Sequence, residues 1–205
     1  MKIRTAAAAT LAVALAVPGV ANAAAKKPAA PKPLVFTDLA GDANALDPGL
    51  GAGPSGGTAT PGQVDAFDIR EVKIVTDKAG SAATKVLVSL KLAAAPTIGI
   101  YRVVGDIGGC EFWTEQSINP DASLNGAAVR TCDDGTTGYA YTDVSAKIDG
   151  STITWTIPVK AFKAAGLKAG AVWGGLGADA RGNEVALTAP SVDRAETDAV
   201  YKVGS

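Results

Sequence analysis

Residues 85–92 read KVLVSLKL and residues 151–158 read STITWTIP, and these two stretches decide the fold. In the first, every even-numbered residue is Val or Leu, while Lys or Ser fills three of the four odd-numbered positions. In the second, threonines alternate with Ile153, Trp155 and Ile157. A repeat of two residues predicts β-strands that bury one face and expose the other.

The same repeat extends along the chain in short pieces separated by Gly and Pro. Residues 144–148 lead into Asp149-Gly150, a dipeptide typical of tight hairpins, directly before the strand at 151–158. Residues 159–167 follow Pro158 and have a helical spacing, which predicts one short helix. Further strands are predicted at 34–37, 67–76, 98–105, 110–116, 127–132, 137–142, 171–177 and 198–203.

This element pattern predicts an all-β fold, an antiparallel β-sandwich of jelly-roll-like form with one short helix. A closed barrel around a ligand is the alternative. The chain has only 3 Trp, 4 Tyr and 4 Phe, which argues against a wide cavity lined by aromatic residues.

The N-terminal residues have the features of a secretory signal. Lys2 and Arg4 precede the apolar run 6–17, and Ala21-Asn22-Ala23 offers a cleavage site. The run is shorter than the ~20 residues that span a membrane. We therefore predict a signal peptide at 1–23, secretion without membrane insertion, and an Ala/Lys/Pro-rich linker at 24–33. The linker is either a plain leader or a basic spacer against an anionic cell surface.

The remaining residues, 34–205, have the size of one domain with a true core. They contain 14 basic and 20 acidic residues, a formal net charge of −6. Because this charge repels phosphate backbones and anionic lipid, we expect no nucleic acid partner. We expect the domain to be a monomer.

Cys110 and Cys132 are the only two cysteines. In an exported chain such a pair predicts a disulfide bond. The alternative, a metal bound by two thiolates, lacks further ligands because the chain contains no histidine.

The absence of histidine also removes Ser-His-Asp and Cys-His catalysis and histidine metal ligands. Glycoside hydrolysis needs only two carboxyl groups, and Glu111 and Glu115 share a strand face with Trp113. Acidic residues are common on solvent-facing strands, and we predict that the protein is not an enzyme.

Residues 38–66 have no periodicity and are rich in Gly, Pro and Asp. Asp38, Asp42 and Asn44 place three oxygen ligands within seven residues, and Asp65 and Asp68 follow. Hard cations bind such oxygens, so the cofactor prediction is Ca²⁺, bound by Asp42 and at least one neighbour. Turn formation by Asp and Asn is the other explanation of these residues.

Exposed aromatic side chains stack on the apolar faces of sugar rings. Trp113, Tyr139 and Tyr141 are the predicted ligand-binding residues. Trp155 lies on the apolar face of its strand and is expected in the core. Trp173, which precedes Gly174-Gly175, fits either environment.

Five motifs together resemble exported bacterial carbohydrate-binding-like sandwich domains, the DOMON-like and family 9 carbohydrate-binding-module-like group, similar to the C-terminal module of glucodextranase. The motifs are FTDLAGD at 36–42, DIxxVxI at 68–74, VLVSLKL at 86–92, YRV at 101–103 and STITWTIP at 151–158. The resemblance implies a sandwich that binds sugar or another small ligand, in some members with calcium, and it makes Asp38 and Asp42 calcium ligands. Haem-binding relatives use His and Met, which the predicted domain lacks.

The sequence therefore predicts a secreted, non-catalytic module that binds a polysaccharide or an envelope glycan. The alternative is an envelope structural or protein-interaction domain that does not bind sugar.

Overall fold

The computed structural model describes residues 29–41, 43, 65–121, 123–131, 140–162, 168–182 and 192–205. Twelve strands form in this part of the chain. They are β1 (Leu34–Thr37), β2 (Ile69–Thr76), β3 (Lys85–Leu92), β4 (Gly99–Ile107), β5 (Cys110–Ile118), β6 (Leu124–Thr131), β7 (Ala140–Asp143), β8 (Ser145–Asp149), β9 (Thr152–Pro158), β10 (Val172–Gly182), β11 (Val192–Thr197) and β12 (Tyr201–Lys202).

The strands form two antiparallel sheets that pack face to face. Sheet A has the order β1-β2-β3-β9-β8, and sheet B has the order β11-β10-β4-β5-β6-β7, with β12 paired to β10. The chain crosses between the sheets after β3, β7 and β9. The predicted antiparallel β-sandwich is confirmed.

The core lies between the sheets and contains the residues that the alternation assigned to it. Trp155 and Trp173 are both fully buried. The Trp173 ring meets Phe112 edge-on, with centroids 5.1 Å apart. The Trp155 Nε1–H donates to the Glu115 carbonyl at 2.9 Å, which satisfies the one polar group of its indole.

Two hairpins depend on glycines with positive φ. Gly108 and Gly109, with φ of 63° and 79°, form the two-residue turn between β4 and β5. Asp149 pairs with Thr152, so Gly150 and Ser151 form the predicted β8–β9 turn, one residue later than the Asp149-Gly150 prediction. Gly150 has a φ of 58°, which β-branched and bulky residues rarely adopt.

Two predicted elements differ from the structure. The predicted strand at 198–203 contains only the two-residue strand β12, and β11, which precedes it, was not predicted. The predicted helix at 159–167 is, in its described part, a 3-10 turn at Val159–Phe162 that follows directly on β9, and residues 163–167 lie outside the described residues. No helix of the described chain is long and apolar enough to span a bilayer.

Candidate functional site: the outer face of sheet B

Strand β5 presents alternate residues to the solvent side of sheet B. Phe112 and Thr114 are buried, whereas Glu111 is exposed and Trp113 and Glu115 are partly buried. The shared face of Glu111, Trp113 and Glu115 agrees with the alternation of the sequence.

Trp113 lies in a row of residues that crosses the sheet. It faces Val129 of β6 on one side and Val104 of β4 on the other. Val104 faces Gly177 of β10, which in turn faces Glu196 of β11. Trp113 is therefore followed across the sheet by two small residues and then by a carboxylate.

The small residues create a depression about two strands from Trp113. It has a volume of about 480 Å³, and Val104, Gly175, Gly177, Glu196 and Asp198 are among its lining residues. A Cβ on Gly177 would contact the Val104 side chain at 3.6 Å and the Ala195 carbonyl at 3.2 Å. Because Gly177 has no side chain, the depression stays open at this position. The pairing of β10 with β4 shifts between Gly174 and Gly177, which places a β-bulge in this glycine-rich segment.

A second row, next to the first, is charged. Glu115, Arg102, Asp179 and Arg194 are consecutive register partners on β5, β4, β10 and β11. Both Nε and Nη2 of Arg102 lie 2.6 Å from Glu115 Oε2, and Ser117 Oγ donates to Glu115 Oε1 at 3.1 Å. These contacts hold the polar groups in fixed positions beside Trp113.

Asp179 is the most perturbed carboxyl group of this row. Burial raises the pKa of Asp179 above its ordinary value, and the nearby charge of Glu115 adds to the rise, although Arg102, Arg181 and Arg194 act in the opposite direction. Only 23% of the Asp179 side chain is exposed, so this carboxylate is poorly solvated although an arginine lies on each side of it in the row.

Glu111 and Glu115 lie four residues apart on β5, with their Cα atoms about 13 Å apart. Glu115 is ion-paired with Arg102, whereas Glu111 is exposed.

The predicted aromatic residues are only partly described. Tyr141 faces Val129 in the β6–β7 pairing, so its backbone lies two strands from Trp113, about 10 Å across the sheet. Tyr139 lies outside the described residues. Trp155 is fully buried in the core, as expected, and Trp173 is fully buried there too.

The described members of the predicted calcium ligand set, Asp38, Asp65 and Asp68, lie near the start of β2. Asp68 is fully buried, accepts the Gly41 N–H at 3.0 Å and pairs with Arg70 Nη2 at 2.7 Å. Asp38 accepts the Leu39 N–H, and Asp65 is exposed. Asp42 and Asn44 lie outside the described residues. Among the described residues, no three Asp, Glu, Cys or His side chains form a metal-binding group.

Cys110 begins β5, is 5% exposed and is not a free thiol. Cys132 lies outside the described residues, so the Cys110–Cys132 pairing stays a prediction.

Sequence reasoning missed Arg102, Asp179, Arg194, Gly177 and Glu196. The signal for Asp179 was present in the alternation Ala178-Asp179-Ala180-Arg181, which continues the strand predicted to end at 177. The rows themselves depend on pairings between distant strands, which no local pattern contains.

Comparison of the chain with protein family models, with curated proteins and with solved structures finds no match.

Proposed function

We propose that the protein is a secreted, non-catalytic module that binds a polysaccharide or an envelope glycan on the outer face of sheet B. The observation that supports this most is the row Trp113–Val104–Gly177–Glu196, in which an aromatic side chain, a low floor and a carboxylate follow one another. An indole packs against the apolar face of a sugar ring, and carboxylates and guanidinium groups accept and donate hydrogen bonds to its hydroxyls.

The shape of the face favours a chain over a small enclosed ligand. The depression beside Val104 is open to solvent, and the row of register partners extends from β6 to β11. The charged row with Arg102 and Asp179 runs parallel to it, so a linear glycan lying across the strands meets stacking and hydrogen-bonding groups together.

Replacing Trp113 by alanine is expected to reduce retention on an insoluble neutral polysaccharide by at least about tenfold, because a truncated tryptophan anchor costs more than about 1.4 kcal/mol of binding energy. Trp113→Phe should retain part of the binding. Tyr141→Ala provides a second test in the same row. The measurement is co-sedimentation with cellulose, chitin, xylan and peptidoglycan.

The matched control is Leu124→Ala, which truncates an exposed apolar side chain at the start of β6, five residues from the residue that faces Trp113. It should leave retention unchanged, and thermal unfolding of each variant checks that the fold persists. Absence of retention on every polysaccharide, or equal loss in both variants, would reject glycan binding by this face. The protein-interaction alternative would then be the better proposal.

We further propose that Ca²⁺ binds between Asp42 and its neighbours and orders the 38–68 segment. The bond from the Gly41 N–H to buried Asp68 supports this proposal because it brings the residue beside Asp42 against β2. Calcium at 100 times its dissociation constant should stabilise the domain by about 2.7 kcal/mol and raise the melting temperature by roughly 5–10 °C.

The measurement is thermal unfolding in EDTA and in excess calcium. Asp42→Ala should abolish the rise, whereas Asp121→Ala, in an exposed turn, should preserve it. If calcium changes the melting temperature of neither the wild type nor the variants, Asp42 and its neighbours act only in the turn.

A further inference from the structure

The outer face of sheet A differs in charge and chemistry from the outer face of sheet B. Among the described residues, the sheet B face carries four basic side chains against five carboxylates, whereas the sheet A face carries four lysines against two carboxylates. The sheet B residues are Arg102, Arg181, Arg194 and Lys202, and Asp106, Glu111, Glu115, Asp179 and Glu196. The sheet A residues are Lys73, Lys85, Lys91 and Lys147, and Glu71 and Asp149.

The centre of the sheet A face is a floor of hydroxyl groups. Thr152, Thr154 and Thr156 point outward from β9 at every second residue, and each is partly buried. Ser89 of β3 faces Thr154, and their hydroxyl oxygens lie 3.1 Å apart. Successive threonines along a strand are about 6.8 Å apart, so the floor offers hydrogen-bonding groups at a regular spacing.

Lysines border this floor on several sides. The register row through Thr154 contains, in order across the sheet, Lys73, Ser89, Thr154 and Lys147. The two hydroxyl residues of this row are therefore flanked by one lysine on either side. Lys85 and Lys91 lie at the two ends of β3. The lysine side chains are exposed, and Lys147, which is 78% exposed, places its Nζ 3.2 Å from Asp149 Oδ2.

A depression of about 540 Å³ lies on this side of the domain, with Leu87, Lys147, Thr152, Thr154 and Thr156 among its lining residues. It is open along the strands. A flat, open floor with regular hydroxyls suits an extended polymer, and the surrounding ammonium groups favour a polymer that carries negative charge.

We propose that the outer face of sheet A is a second binding surface, and that its ligand is a linear anionic glycan bearing carboxylate or phosphate groups. The hydroxyl floor argues for a glycan over a lipid surface, because Leu87 and Val75 are partly buried and the exposed Val35 lies on the edge strand β1. The lysines attract the negative groups from outside, and Ser89 and the threonines bond the sugar hydroxyls.

This second surface is independent of the site around Trp113 and can be tested separately. The probe is polygalacturonate, a linear glycan with one carboxylate per sugar, measured by affinity electrophoresis at low and at high salt. The double substitution Lys73→Glu and Lys147→Glu should weaken binding at low salt by about tenfold or more, because each change replaces an attractive charge by a repulsive one. High salt should weaken binding by the wild type.

A matched double substitution, Lys168→Glu and Lys202→Glu, changes the net charge equally at exposed positions outside this face. It should bind nearly as well as the wild type. Thr154→Val, which removes the central hydroxyl, should weaken binding without altering its salt dependence. Trp113→Ala should bind polygalacturonate normally, so failure of one site does not imitate failure of the other.

Three results would overturn the proposal. The first is that polygalacturonate does not retard the wild-type protein at low salt. The second is an equal loss of binding in both double lysine variants, which would show that binding responds to net charge alone. The third is binding to phosphatidylglycerol vesicles without binding to polygalacturonate, which would assign the face to a lipid surface.

Discussion

Replacing Asp193 by alanine is expected to lower the free energy of unfolding by about 3 kcal/mol, and the melting temperature by roughly 6–12 °C. Asp193 lies in β11 of sheet B and is 5% exposed. Its Oδ2 accepts the N–H of Ile69, the first residue of β2 in sheet A, at 2.6 Å. Its Oδ1 accepts the Arg194 N–H at 2.8 Å. One carboxylate therefore joins the two sheets.

The large cost follows from what the substitution leaves behind. Ile69 is fully buried, so its N–H has no access to water once the carboxylate is gone. An unpaired buried donor costs about 1–3 kcal/mol, and the lost bond to a charged acceptor adds to this. Asp193→Asn keeps one acceptor and should lose less.

The measurement is denaturant unfolding of both variants beside Asp198→Ala, which removes an exposed carboxylate next to the end of the same strand. Asp198→Ala should change stability by no more than about 0.5 kcal/mol. Equal effects at the two positions would mean that Asp193 contributes no bond between the sheets.

Local patterns predicted the sandwich because each strand has to bury one face. The alternation at 85–92 and at 151–158 assigned nearly every core residue of β3 and β9 before any pairing was known. Trp155 is an example, since its neighbours in sequence already required it to face inward. The alternation did not predict that Asp193 is buried, because an acidic residue at an inward-facing position departs from the apolar pattern of core residues.

The candidate sites were less accessible to sequence reasoning. Trp113 was selected as an exposed aromatic, and it lies on the outer face. Its partners Gly177 and Glu196 come from strands more than sixty residues away, and only the register connects them. The lysines that border the sheet A face could not be predicted for the same reason, because Lys73 and Lys147 belong to strands separated by β3 and β9.

Reduction of the predicted disulfide between Cys110 and Cys132 is expected to destabilise the domain by about 3 kcal/mol, the value for a closed loop of about 22 residues. The β5–β6 register supports the pairing. Its last described pair is Glu111 with Thr131, the residues next to Cys110 and Cys132 in the sequence. Facing residues of antiparallel strands have Cα atoms about 4.5–5.5 Å apart, and a disulfide spans Cα distances in this range.

The bond would close the end of the hairpin that carries Trp113, so its loss should reduce glycan binding only where the domain begins to unfold. Adding a reductant should lower the melting temperature by roughly 6–12 °C. The double substitution of both cysteines by serine should have the same effect and should remove the response to the reductant. Thiol titration of the unfolded, non-reduced protein decides the matter independently, because two reactive thiols would contradict the pairing. If the bond is present, the serine variant should retain less polysaccharide than the wild type at temperatures approaching its own transition and bind equally well far below it.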